Sequence, residues 1–185
     1  MAETIPKIKI ENVVASATIN QRIDLIEITK KFTHVEYNPK RFPGLVFRIK
    51  DPKTAILIFS SGKMVCTGGK SEKMAKIAVN SVVSSLKENG IKIEKSAIIT
   101  IQNIVASVDL GGKIDLEEAA RQLSNSMYEP EQFPGLIYRM KKPKTVILIF
   151  SSGKLVCTGA KIESQVKNAV NNLHNLLEKK NLMLY

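Results

Sequence analysis

The chain has 185 residues, 28 Lys plus Arg against 17 Asp plus Glu (net charge +11), and is 44% hydrophobic. That hydrophobic share excludes a disordered chain, and the length excludes a multidomain machine while allowing one large domain or two small ones, each able to bury a core. The basic excess favours a polyanion or an anionic surface as partner.

In chain order, Lys7–Ile19 alternates and is rich in Val and Ile, which predicts a strand; Asp24 with Glu27 predicts a cap before a short helix carrying Leu25, Ile28 and Phe32. Short β-rich runs follow around Glu36–Tyr37, Leu45–Lys50, Thr54–Ser60 and Lys63–Thr67, broken at Asn38-Pro39, Pro43-Gly44, Asp51-Pro52 and Ser61-Gly62, the pattern of an antiparallel meander. A long amphipathic helix closes the segment, N-capped by Ser71, with Met74, Ile77, Ala78, Val82 and Leu86 apolar. The whole series then recurs. IENVVAS (10–16) returns as IQNIVAS (101–107), FPGL (42–45) at 133–136 and SSGKMVCTG (60–68) as SSGKLVCTG (151–159), always 91 residues on. At that offset, without gaps, roughly 40 of about 83 positions are identical, which marks a tandem duplication. Copy two repeats the cap and short helix with Asp115, Glu118, Leu116, Ala119 and Leu123, and its long helix is apolar at Ile162, Val166, Ala169, Val170, Leu173 and Leu177.

Two copies are too few for a solenoid, so they are expected to pair about a pseudo-two-fold axis: repeat 1 over residues 1–92 and repeat 2 over 93–185, in one continuous body. Two β-α-β-β-β-β-α repeats give an α+β fold with about ten antiparallel strands and four helices. Helices on one sheet face leave the other bare. Yet Ala55–Phe59 and Val146–Phe150 are continuous apolar runs, so the bare face is itself apolar and marks a binding surface.

One strand parity collects Asn12, Val14, Ser16, Leu57, Phe59, Val65 and Thr67, matched by Asn103, Val105, Ser107, Leu148, Phe150, Val156 and Thr158, and parity leaves open which face is outside. Aliphatics, paired carboxamides and phenyls flanked by cations suit a nucleic-acid minor groove. An A·T-rich floor offers only acceptors and lacks the guanine amino group. Phe42, Phe59, Phe133 and Phe150 would then be wedges between base steps; the alternative is that they are core, which is less expected of Phe42 and Phe133 beside Pro and Gly at a hairpin tip. Burying four phenyls yields about 1.5 to 3 kcal/mol each, whereas unstacking costs a few kcal/mol per step and bending about 1 to 10. These nearly cancel, so phosphate contacts from Arg41, Arg48, Lys63, Arg139 and Lys154 are required, and binding should be salt-sensitive.

These stretches, with YNPKRFPGLVFRIKDPKTAILIFSSGKMVCTG and its copy YEPEQFPGLIYRMKKPKTVILIFSSGKLVCTG, resemble the TATA-binding protein family over essentially the whole chain. The resemblance implies a general, non-enzymatic initiation factor. It would be a saddle whose curved, concave sheet grips an A·T-rich promoter element in the minor groove and kinks it, with four helices on the convex side. Carried onto this sequence, the groove-floor amides are Asn12 and Asn103 and the wedges Phe42, Phe59, Phe133 and Phe150. The aliphatic floor is Val14, Leu57, Val65, Val105, Leu148 and Val156, with polar contacts from Thr67 and Thr158. Arg48 and Arg139 resemble the phosphate-binding positions, and Lys63 and Lys154 are further DNA-binding candidates. The short N-terminus resembles archaeal members, implying a cytoplasmic, nucleoid-associated protein; a eukaryotic one would be nuclear. Some members carry an acidic C-terminal tail, whereas this chain ends KKNLMLY.

At the hairpin tip the copies differ in charge: Asn38-Pro39-Lys40-Arg41 against Glu129-Pro130-Glu131-Gln132. Glu129 and Glu131 are therefore candidates for recruiting a basic partner, by resemblance the B-type initiation factor and RNA polymerase through it. Solvated-loop drift explains the difference equally well.

Other patterns are weaker. Gly68-Gly69-Lys70-Ser71 lacks the upstream glycine of a phosphate-binding loop, which would fall at Met64. His34 and His174 have no ligand-spaced neighbours, so no metal or cofactor is expected. Cys66 and Cys157, without a CxxC partner, read as packing residues of a reducing compartment. No apolar run approaches the ~18 to 20 residues of a membrane helix, and Met1–Lys9 has no secretory core, so a soluble protein without a membrane partner is expected. Two other classes stay open: a substrate-grip module of a nucleic-acid-processing enzyme, since half-saddles occur in some glycosylases and ribonucleases, and a scaffold that hides its apolar face in a homodimer.

Overall fold

The computed structural model describes residues 4–185; residues 1–3, the start of repeat 1, lie outside the described residues. In chain order the elements are β1 (Lys7–Thr18), α1 (Leu25–Lys31), β2 (Leu45–Lys50), β3 (Lys53–Ile58), β4 (Lys63–Gly69), α2 (Glu72–Glu88), β5 (Ile98–Asp109), β6 (Lys113–Ile114), α3 (Leu116–Gln122), β7 (Ser126–Met127), β8 (Leu136–Lys141), β9 (Lys144–Ile149), β10 (Lys154–Ala160), α4 (Glu163–Lys179) and β11 (Met183–Leu184). Nine strands hydrogen-bond in the order β2-β3-β4-β1-β5-β10-β9-β8-β7, and β11 with β6 makes a separate two-stranded sheet. The α+β class and four helices stand as expected. The strand count differs because the run at Glu36–Tyr37 forms only a single bridge, Glu36 to Val46, where its copy forms the two-residue β7.

The chain divides into two compact units, one spanning Asn12–Gln102 (the N-unit) and one made of Asn103–Tyr185 with the chain up to Glu11 (the C-unit). In the N-unit, β2, β3, β4 and β1 pair antiparallel in that order. Strand alternation sends Val13, Ala15, Ala17, Phe47, Ile56, Ile58, Met64 and Cys66 to one face, where they are buried with Ala75, Ala78, Val79, Val82, Val83 and Leu86 of α2. In the C-unit the same layering buries Ile104, Ala106, Ile147, Ile149, Leu155 and Cys157 with Val166, Ala169, Val170, Leu173 and Leu177 of α4.

Helix starts follow local chemistry. The Asp24 carboxylate accepts the N–H groups of Ile26 and Glu27, Asp115 accepts that of Glu118, and Ser71 Oγ accepts that of Met74. Three residues assigned to apolar helix faces are instead exposed: Met74, Ile77 and Ile162. The buried stripe of α2 is centred on Ala75, Val79, Val82 and Leu86. At 3.6 residues per turn Ile77 falls on its far side and Met74 about a quarter-turn off. Ile162 precedes the first turn of α4 as its N-cap residue, without a side-chain cap bond.

Candidate nucleic-acid interface

On the sheet face away from the helices, Val14, Leu57 and Val65 in the N-unit and Val105, Leu148 and Val156 in the C-unit are only half-buried, unlike the residues on either side of them in each strand. Alternation therefore places every expected aliphatic floor residue on an uncovered face in its own unit.

Each unit fixes one carboxamide on that face. Asn12 Oδ1 accepts the Gly68 N–H at 2.7 Å, and Thr67 Oγ1 lies 3.0 Å from Asn12 Nδ2 and 3.3 Å from Oδ1. Asn103 repeats this with Gly159 at 2.7 Å and Thr158 at 3.1 and 3.3 Å. The glycine N–H can meet only the amide oxygen, so the NH2 group is turned toward the threonine, with a second hydrogen left for a ligand. A β-bulge aims that N–H: pairing of β1 with β4 shifts between Val13–Gly69 and Ala15–Cys66, and pairing of β10 with β5 shifts between Cys157–Ala106 and Ala160–Ile104. The bulged glycines have φ of +97° and +99°, which a side chain would resist. Sequence reading found the Asn and Thr and missed the bulge, although the Thr-Gly step that closes each strand was its signal.

The four phenylalanines stand as two pairs. Phe42 and Phe59 have ring centroids 5.9 Å apart at 68°, and Phe133 and Phe150 are 5.9 Å apart at 67°, both edge-to-face. Phe42 and Phe133 are 42% and 37% exposed. The same turn presents each, the Asn38 carbonyl accepting the N–H groups of Arg41 and Phe42, and the Glu129 carbonyl those of Gln132 and Phe133, all at 3.0 Å. Gly44 and Gly135 make room: a Cβ there would lie 2.7 and 2.8 Å from the Phe42 and Phe133 rings and 3.1 and 3.0 Å from Phe59 and Phe150. These glycines carry the ring geometry, a role invisible in sequence because it depends on contact across the turn. Beside each pair lies a hollow, of about 670 Å³ with Ser16, Thr18, Pro43, Phe59, Lys63 and Val65 among its lining, and of about 730 Å³ with Ser107, Asp109, Pro134, Phe150, Lys154 and Val156.

Arg41, Arg48, Lys63, Arg139 and Lys154 are all exposed, as are Glu129 and Glu131. Arg48 Nη1 sits 2.8 Å from Glu36 Oε1, a partner that sequence reading missed. Cys66 and Cys157 are fully buried on the helix side, and burial pushes both thiols up to about 11, so they are protonated packing groups. Among the described residues no helix is long and apolar enough to cross a membrane, and no group of three or more His, Cys, Asp or Glu could hold a metal ion.

This geometry has close counterparts. The family model described as transcription factor TFIID, or TATA-binding protein, matches residues 7–89 and again 98–180, one match per repeat. The TATA-box-binding protein of Pyrodictium occultum is 53% identical over 174 residues, 94% of this chain and 87% of the relative. That of Pyrobaculum neutrophilum is 51% identical over 178 residues, 96% and 90% of the two chains. The solved structure of Methanococcus jannaschii TBP superposes with a TM-score of 0.85 at 46% identity, covering 94% of this chain and 99% of the other. A duplicated α+β chain with this match is a DNA-binding transcription factor and not an enzyme. The chain belongs to the TATA-binding protein family.

Proposed function

We propose that this protein is a general initiation factor that binds A·T-rich promoter DNA through the minor groove, kinks it with the phenyl pairs and recruits a B-type initiation factor, and RNA polymerase through it. The single observation that carries this reading is the paired, identically built set on each uncovered sheet face, an amide with a fixed donor and an edge-to-face phenyl pair. The free Nδ2 hydrogens of Asn12 and Asn103 match the A N3 and T O2 acceptors, whereas a guanine amino group would meet donor with donor. Val14, Leu57, Val65 and their copies exclude water from that floor. Phe42 with Phe59, and Phe133 with Phe150, present two rings apiece for insertion at a base step. Arg41, Arg48, Arg139, Lys63 and Lys154 supply phosphate contacts. Glu129 and Glu131, on the turn that is basic in the other repeat, form the recruiting surface for the B-type factor.

The protein works in the cytoplasm on the nucleoid, and off DNA the apolar faces associate two copies. Light scattering should show dimers that an A·T-rich duplex dissolves; self-association that persists on DNA would favour a scaffold instead. A gel-shift series decides the DNA reading. A·T-rich and inosine·cytosine-substituted duplexes should bind alike, because inosine lacks the minor-groove amino group, and a G·C duplex of the same order should bind at least tenfold more weakly. Equal binding to all three would sink the minor-groove reading.

A further inference from the structure

The matched arginines Arg48 and Arg139 occupy equivalent places on β2 and β8, opposite Ala55 and Val146 of the neighbouring strands. Their surroundings differ. Glu36 is held to the edge of β2 by two backbone bonds with Val46, of 2.8 and 3.0 Å, and its carboxylate reaches Arg48 at 2.8 Å. In the C-unit the pairing register is the same, Met127 opposite Ile137, but the residue in Glu36's place is Met127, which carries no charge. Arg48 and Glu36 are 57% and 67% exposed, so the pair lies in solvent within reach of a polyanion.

Resting on the DNA reading above, we propose that Glu36 restrains Arg48 as a phosphate ligand, so that Arg139 is the stronger phosphate anchor of the matched pair. A guanidinium that meets a phosphate contributes by displacing a condensed counterion from DNA. Arg48 and Glu36 together are neutral. A phosphate taking Arg48 must either displace the carboxylate or accept it as a like-charged neighbour, and in both cases about one counterion fewer is released. Glu36 is thus a tuning residue that acts through Arg48 and breaks the equivalence of the two matched arginines.

The test is the salt dependence of binding by the full chain to a fluorescein-labelled A·T-rich duplex, followed by anisotropy between 50 and 200 mM salt. Glu36→Gln should steepen the log–log slope by about 0.9, the increment for one more phosphate contact, so that affinity falls across that range by an extra factor of about 3.5. Met127→Glu should flatten it by a similar amount, and the double variant should return near the wild-type slope. Glu88→Gln, at the end of α2, should leave it unaltered. Wild-type binding with an unchanged slope in Glu36→Gln, or a steepening shared by Glu88→Gln, overturns the inference. Wild type with no salt-dependent binding to the duplex would overturn the DNA reading, and the inference with it.

Discussion

In the N-unit and the C-unit one glycine N–H fixes the carboxamide at the same 2.7 Å and the phenyl rings stand at the same 5.9 Å, yet the edges of the two units share little. The N-unit edge carries Glu36 on Arg48 and an edge-to-face cluster of Phe32, His34 and Phe47. The C-unit has Met127, and Leu123, Asn125 and Tyr138 at the corresponding positions, and ties its chain end with β11 on β6. What stays equal are groups whose action depends on tenths of an ångström, donors and edge-to-face rings. Among what diverges are charges, which act over a Debye length of about 8 to 10 Å and tolerate imprecise placement.

If the equal parts are functionally equal, deleting them must cost the same in either unit. Phe42→Ala with Phe59→Ala should lower DNA affinity by about 10²- to 10⁴-fold, since two phenyls contribute about 1.5 to 3 kcal/mol each. Phe133→Ala with Phe150→Ala should match it within a few-fold. Anisotropy gives the affinity and energy transfer between duplex ends the bend. A loss confined to one pair would break the equivalence.

The two thiols sharpen the same comparison on the stability side. Cys66 and Cys157 hold their protons more tightly folded, at about 11, than an exposed thiol near 9. The stabilisation is therefore complete below pH ~9 and lost as pH rises through about 11, by about 2 to 3 kcal/mol each. Denaturant melts across that window should show the loss. Cys66→Ala and Cys157→Ala should each reduce its pH dependence by a similar amount, and native thiols should react with a disulfide reagent only as fast as the fold opens.

The amides come next in size. Asn12→Ala or Asn103→Ala removes a donor, which costs about 1 to 3 kcal/mol, a roughly 5- to 150-fold loss on A·T-rich DNA with weakened rejection of G·C at one half-site. Gel shifts on duplexes with a single G·C pair moved along the site would locate it.

How much of this was legible follows from which interactions are periodic. The 91-residue offset and strand alternation suffice to put Val14, Leu57, Val65 and their copies on one face, and the caps at Asp24, Asp115 and Ser71 follow from local spacing. The bulge at Thr67-Gly68, the room left by Gly44 for two rings and the reach of Glu36 to Arg48 depend on register between strands, which no single segment encodes. Met74 and Ile77 misled because a helical stripe read from apolar residues alone cannot reveal its phase when apolar side chains also face outward.

The smallest effect on DNA itself should come from the turns, where the contrast is charge alone. Lys40 and Arg41 follow Asn38-Pro39 in one repeat, whereas Glu131 and Gln132 follow Glu129-Pro130 in the other, on turns closed by the same pair of 3.0 Å bonds to the carbonyl of Asn38 or Glu129. Because the backbone is the same, exchanging the side chains should move no phenyl ring. Glu129→Lys with Glu131→Lys should therefore leave bending unchanged and raise DNA affinity only modestly through the added positive charge, while weakening recruitment of the B-type factor about tenfold, chiefly by slowing association, the signature of an exposed complementary charge. A ternary complex that forms at the wild-type rate on the reversed turn would mean that this difference is drift of a solvated loop, and would leave Glu36 as the charge that separates the two units.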